Sequence, residues 1–231
     1  HNYFELRTAD RYLSYPSNFY FSAEGSTDSR KKFFVNYSGN YAVAPKTDNV
    51  YTSVGLGVRY RFNNKFSLDL QTTSTLEKNQ LGFAFMRESN GEPIVAFRDN
   101  KDFTSILSGI YNFNSRLNLT LRARHYWNKV NYLSLYNVDL KGKLLSRPFI
   151  PGLDENVNFF NVDGFLTWDF RLGSRLILGY KNWLGDEEMA TISGKNSYFK
   201  NLGQVFNLRH GNEFTVRFIY FLDYNQLRKK R

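Results

Sequence analysis

Histidine is the side chain whose ordinary pKa suits it to general acid–base work at neutral pH, and this sequence has three: His1, His125 and His210. They lie far apart along the chain, and none has a second ligand at metal-binding spacing. Cysteine is absent, which removes thiolate nucleophiles, thiolate metal sites and disulfides. Asp186-Glu187-Glu188 and Asp154-Glu155 could offer oxygens to a hard cation, but the spacing is that of no calcium loop, and a solvated loop is the simpler reading. Gly55-Leu56-Gly57 lacks the third glycine and the following helix of a dinucleotide site. Asn36-Tyr37-Ser38 and Asn118-Leu119-Thr120 match a glycosylation acceptor but fall inside expected strands. No catalytic residue, cofactor-binding residue, cofactor or metal ligand is therefore expected, and the chain is not expected to be an enzyme.

What remains is a set of charges at alternate positions. Arg59, Arg61, Arg122, Arg124, Arg171, Lys181 and Arg217 interleave with Asp69, Asp163, Asp169 and Asp223. On strands, such residues share one face. They are candidates to line a lumen, where they would favour anions weakly or hold a plug. The simpler reading is that they satisfy one another across a narrow polar interior.

The elements that must carry these charges are strands. A tight-turn unit occurs three times: Tyr60 to Leu70, Tyr111 to Leu121 and Trp168 to Leu178. In each, aromatics at every second position lead into a turn of Asn, Ser, Gly and a base, and leucines at every second position lead away. The alternation predicts strands near Tyr3–Tyr12, Asn18–Ser26, Phe33–Val43, Tyr51–Phe62, Phe66–Leu76, Phe103–Phe113, Leu117–Trp127, Phe160–Phe170, Leu176–Leu184 and Phe214–Tyr224. These are the lengths of tilted membrane strands, and their even number is one that could close alone. The opposite ends of the hairpins are long and polar, at 76–102, 137–158 and 185–200. Asn90-Gly91 signals a hairpin inside the first, and Pro148 and Pro151 favour a folded loop in the second. Tyr60, Phe62, Tyr111, Phe113, Trp168, Phe170, Tyr220 and Tyr224 lie beside the short turns. Amphipathic rings suit a lipid interface there better than a sugar-stacking platform.

Composition allows this reading. At 42% hydrophobic and 18% aromatic the 231 residues are able to fold. A mean hydropathy of -0.50 does not exclude a barrel that shows only alternate residues to lipid. No run of about 18 apolar residues offers a transmembrane helix, so any spanning must be by a closed sheet. The net charge of +10 is spread over inward strand positions and the ending Arg228-Lys229-Lys230-Arg231. There is no external basic stripe, and nucleic acid is not expected as a partner. The chain opens at His1 without a signal segment, consistent with a mature or partial product and with further strands upstream.

Ile106 to Trp127, with Arg122-Ala-Arg-His-Tyr-Trp127 at its end, together with Asn158-Phe-Phe-Asn161, Trp168-Asp-Phe170 and Phe218 to Asn225, resembles one family. It is similar to the C-terminal barrel of Bacteroidota outer-membrane proteins that carry a family-nine-type carbohydrate-binding domain near their N-terminus. The likeness covers residues 100–225 well and the first hundred more loosely. It implies the C-terminal portion of an antiparallel up-and-down transmembrane β-barrel over residues 1–231, with a basic periplasmic tail at 225–231. It implies a bacterial outer-membrane location, with lipid and lipopolysaccharide as partners and glycans reached through an upstream domain. The family is uncharacterised, and no catalytic residue carries over. The expected function is a passive pore or the membrane anchor of that sugar-binding module. Alternatives are an accessory barrel in a larger outer-membrane complex for secretion, assembly or nutrient uptake, bound to other outer-membrane or periplasmic proteins, and a soluble all-β ligand-binding barrel with an apolar interior.

Overall fold

The computed structural model describes residues 2–5, 8, 11–185 and 197–222. The fold is all-β and antiparallel. In chain order its strands are β1 (Asn2–Glu5), β2 (Tyr12–Tyr15), β3 (Phe19–Ser26), β4 (Phe33–Ala44), β5 (Asn49–Arg61), β6 (Phe66–Arg87), β7 (Pro93–Asn112), β8 (Leu117–Val138), β9 (Leu144–Ser146), β10 (Glu155–Arg171), β11 (Ser174–Leu184) and β12 (His210–Ile219). A helix, α1 (Tyr198–Gln204), and a 3₁₀ turn, Val205–Asn207, precede β12.

Nine strands form one up-and-down sheet in the order β12-β11-β10-β8-β7-β6-β5-β4-β3, and β9 pairs with β8 off that path. The sheet is open: among the described residues neither β3 nor β12 has an outer neighbour. The expected strand at Tyr3–Tyr12 is corrected. It is replaced by the hairpin β1–β2, which leaves the sheet and packs against it. Nine strands, unlike ten, cannot close antiparallel by themselves, because the first and last run the same way.

Short turns join the strands at one end, here the lower, at 27–32, 62–65, 113–116 and 172–173. Two of them are chemical copies. The Asn63 carboxamide oxygen accepts the backbone N–H groups of Lys65 and Phe66 at 2.8 and 2.9 Å, and Asn114 does the same for Arg116 and Leu117 at 2.8 and 3.0 Å. Asparagine suits the position because its short amide replaces a backbone acceptor in a tight turn.

The upper ends depart most from the sequence reading. β6, β7 and β8 run 20 to 22 residues, about twice the expected span. β6 and β7 meet at the Asn90-Gly91 turn that the sequence signals, with Gly91 at φ +83°. Three irregularities interrupt the extension, between Glu77 and Gln80 and between Phe83 and Arg87 on β6, and between Tyr132 and Ser134 on β8, opposite Phe97 and Arg98. The first and the last shift the alternation out of phase. Above the bulges both sheet faces are covered. Leu13 of β2 is fully buried on one face with Leu81, Val95 and Val138. On the other, Ala84, Ile94, Ala96, Val130, Tyr132 and Leu135 pack together under Met86 and Leu153.

Candidate functional site

Register partners in an antiparallel sheet share a face, so the pairings convert sequence alternation into surfaces. One row across eight strands reads Phe33, Tyr60, Leu68, Gly109, Leu121, Gly164, Tyr180, Phe214. The next reads Val35, Val58, Leu70, Leu107, Ala123, Val162, followed by Asn182 and Asn212. This face is apolar and bare, with Leu121 49% and Phe214 78% exposed. Monomeric soluble proteins rarely expose an apolar face of this extent.

The opposite face carries the charges. One row reads Arg59, Asp69, Ser108, Arg122, Asp163, Lys181, Glu213. Apart from Ser108, the sign alternates strand by strand. Lys181 and Glu213 form an ion pair at 3.6 Å, and the Asp69 carboxylate accepts from Gln71 at 2.9 Å. Arg124 stands one row higher, opposite Asn161 and Ile106, and Arg217 two rows lower on β12, opposite Ile177. Asp169 is bound by Arg175 at 2.5 Å. Arg59 donates to the Ser29 carbonyl at 2.8 Å and lies over the Phe34 ring, while Arg61 donates to the Arg30 carbonyl at 3.2 Å. These two arginines fasten the 27–32 turn.

Arg171 does not belong to this set. An irregularity between Trp168 and Arg171 brings Arg171 opposite Ser174, and its guanidinium donates to the Tyr220 hydroxyl at 2.8 Å. It sides with the aromatics, and its expected place in the charged lining is corrected. Asp223, the basic tail, His1 and the cluster Asp186-Glu187-Glu188 lie outside the described residues. Glu213, Ser108 and Arg175 complete the charged face but escaped the sequence reading, because their places follow from register.

The aromatics beside the lower turns form a belt. Tyr60 meets Phe62 edge-on at 4.8 Å, Phe62 stacks on Phe66 at 4.8 Å, Phe66 lies 6.1 Å from Tyr111, and Tyr111 meets Phe113 at 4.8 Å. A second run joins Trp168 to Phe170 at 5.6 Å, Phe170 to Phe218 at 5.5 Å and Phe218 to Tyr220 at 6.2 Å. Phe66 and Phe218 are members that the sequence reading had not placed there. Tyr224 lies outside the described residues.

His125 is on the apolar side, as its phase predicts, but it is no exposed interfacial ring. It is buried and its Nε2 donates to the Asn158 carboxamide oxygen at 2.8 Å. Trp127 Nε1 donates to Asn156 at 2.7 Å beside it. Both are roofed by α1.

In the upper extension Arg147 reaches Glu88 at 2.6 Å and Arg11 reaches Glu92 at 2.5 Å. Tyr132 donates to Glu155 at 2.8 Å; burial first, and then this carboxylate, push its hydroxyl pKa above the ordinary tyrosine value. Asp139 caps its turn by accepting from the Lys141 and Lys143 backbone at 2.8 Å each. Those bonds, that of Lys143 first, hold its carboxyl below the usual aspartate range.

Fold and surfaces together define an all-β protein built on one antiparallel meander with an apolar and a charged face. Within that class the chain belongs to the family described as domain of unknown function (DUF5916), whose model matches residues 1–231. Comparison with the curated proteins and with the solved structures finds no match.

Proposed function

We propose that this chain is part of the wall of an outer-membrane β-barrel, serving as the membrane anchor of an external platform formed by the tops of β6, β7 and β8. The observation that carries the reading is the bare apolar face that runs across eight strands, opposed by a face of alternating charge. A lipid-facing exterior and a polar interior require that pairing of faces. The aromatic belt beside the short turns supports a membrane boundary at that rim. Antiparallel closure of the wall takes an odd number of further strands. Anchoring is favoured over selective passage because the interior charges alternate in sign from strand to strand, so no single sign lines a path.

These 231 residues have no cysteine, so single-cysteine probes can be placed cleanly once any cysteine outside them is replaced. In the full-length protein inserted into vesicles, a polarity-sensitive probe at Leu121→Cys should report hydrocarbon and one at Arg122→Cys water. The reverse would favour a soluble barrel with an apolar interior and end this proposal. Planar-bilayer recordings separate anchor from pore: an anchor gives no unitary current steps, whereas steady steps favour a passive pore. An accessory role in a larger complex, or attachment to a sugar-binding module, would appear as stable co-purification in mild detergent.

A further inference from the structure

One patch of the apolar side is polar. Ser105, His125, Asn156 and Asn158 all stand on the face that carries Leu107, Leu121 and Val162. Uncovered polar groups are expensive in hydrocarbon. Here they are covered by α1. Asn201, 1% exposed, accepts from Asn156 Nδ2 at 2.9 Å through its side chain and from Asn158 Nδ2 at 2.7 Å through its carbonyl. The Tyr198 hydroxyl donates to Ser105 at 3.1 Å, and its ring meets His125 at 5.0 Å and Trp127 at 6.4 Å. Trp127 is left 1% exposed.

The outer side of the same segment is different. Phe199 is 80% exposed and Phe206 57%, and Lys200 and Arg209 are exposed beside them. Height decides what they meet. His125 and Trp127 lie eight and ten residues above Leu117, the first residue of β8, or about 26 and 33 Å along the strand. Projected at the usual barrel tilt this is roughly 20 to 25 Å, the height of a barrel's apolar band. The segment therefore sits at the upper margin of the band, opposite the lower aromatic belt.

We infer that residues 197–207 form a membrane-interface collar, sealing the polar patch from hydrocarbon and placing Phe199 and Phe206 at the headgroup boundary. Lys200 and Arg209 then face the phosphates of anionic lipid. This rests on the membrane reading above.

The test uses the full-length protein in vesicles whose phosphatidylcholine carries bromine either near the headgroup or near the chain ends, with tryptophan fluorescence as the readout. A background in which Trp168, Trp183 and any tryptophan outside these 231 residues are replaced by Phe keeps buried Trp127, which should lose no fluorescence. Adding Phe199→Trp, or separately Phe206→Trp, should give an emission quenched more by the shallow bromine than by the deep one. Trp168, restored alone to the background, should be quenched as well. If Trp168 is quenched while both introduced tryptophans are untouched, the collar is overturned and the membrane wall stands. If Trp168 is untouched, the membrane reading itself falls. In the background, Asn201→Leu should open the seal and make Trp127 sensitive to bromine; an unchanged Trp127 would overturn the sealing role.

Discussion

Gly91 and Gly142 both turn the chain at positive φ, +83° and +74°, but their surroundings differ. A Cβ on Gly91 meets open space, whereas one on Gly142 would lie 2.6 Å from the Tyr12 ring and 3.2 Å from the Tyr12 carbonyl. Gly91→Ala should therefore cost only the left-handed backbone penalty, about 1 to 2 kcal/mol. Gly142→Ala should cost measurably more, and equal losses in urea unfolding would refute the contrast. Asp139 gives a pH test. Its folded pKa is depressed, so the turn's stabilisation is complete above the unfolded value near 3.9 and is lost as pH falls through the folded value. Carboxyl-carbon NMR should place the Asp139 midpoint below that of an unfolded peptide. The Lys143 amide shift should follow it, and Asp139→Asn should abolish the coupling.

At the scale of elements, Leu13 is the fully buried member among the described side chains of the hairpin β1–β2. Leu13→Ala removes a fully buried residue from between β6, β7 and β8 and should destabilise the upper extension by about 2 to 5 kcal/mol. Proteolysis should then cut at the released hairpin before the sheet opens. Most strands of the sheet were legible because period two is a local property: Val54, Leu56, Val58 and Tyr60 announce one face without help from the rest of the chain. The upper halves of β6 and β8 were not, since the bulge after Glu77, where Asn79 takes φ +50°, reverses the phase of β6, and the extra residue between Tyr132 and Ser134 reverses that of β8. Arg171 was misplaced for the same reason, one residue of slippage being enough to change sides. The roof over His125 was illegible, because Asn201 and Asn158 are 43 residues apart and nothing local to either marks the contact.

For the whole molecule, the sidedness of the sheet makes the sharpest prediction. Leu121 lies four residues above the lower end of β8, near the middle of the apolar band. In the full-length protein in vesicles, Leu121→Arg should cost about 2 to 4 kcal/mol. Arg122→Leu, next to it on the charged face, should change stability by no more than about 1 kcal/mol. Comparable losses from the two variants in urea titrations would deny the faces their different surroundings. The charged row itself was only half legible: the sequence supplies its Arg and Asp members, while their alternation emerges from seven strands set in register.

Among the described residues β3 and β12 are the two margins of the sheet, and they point the same way, which restricts what could complete the wall proposed above. A twin molecule standing upright beside the first would bring its β3 alongside β12 head to head, a parallel seam foreign to the rest of the meander. Inverting the twin repairs that seam but turns its aromatic belt toward the opposite leaflet. Self-association of this sheet therefore gives no sided cylinder with every seam antiparallel, so the wall proposed above, if closed that way, draws its further strands from polypeptide outside this sheet.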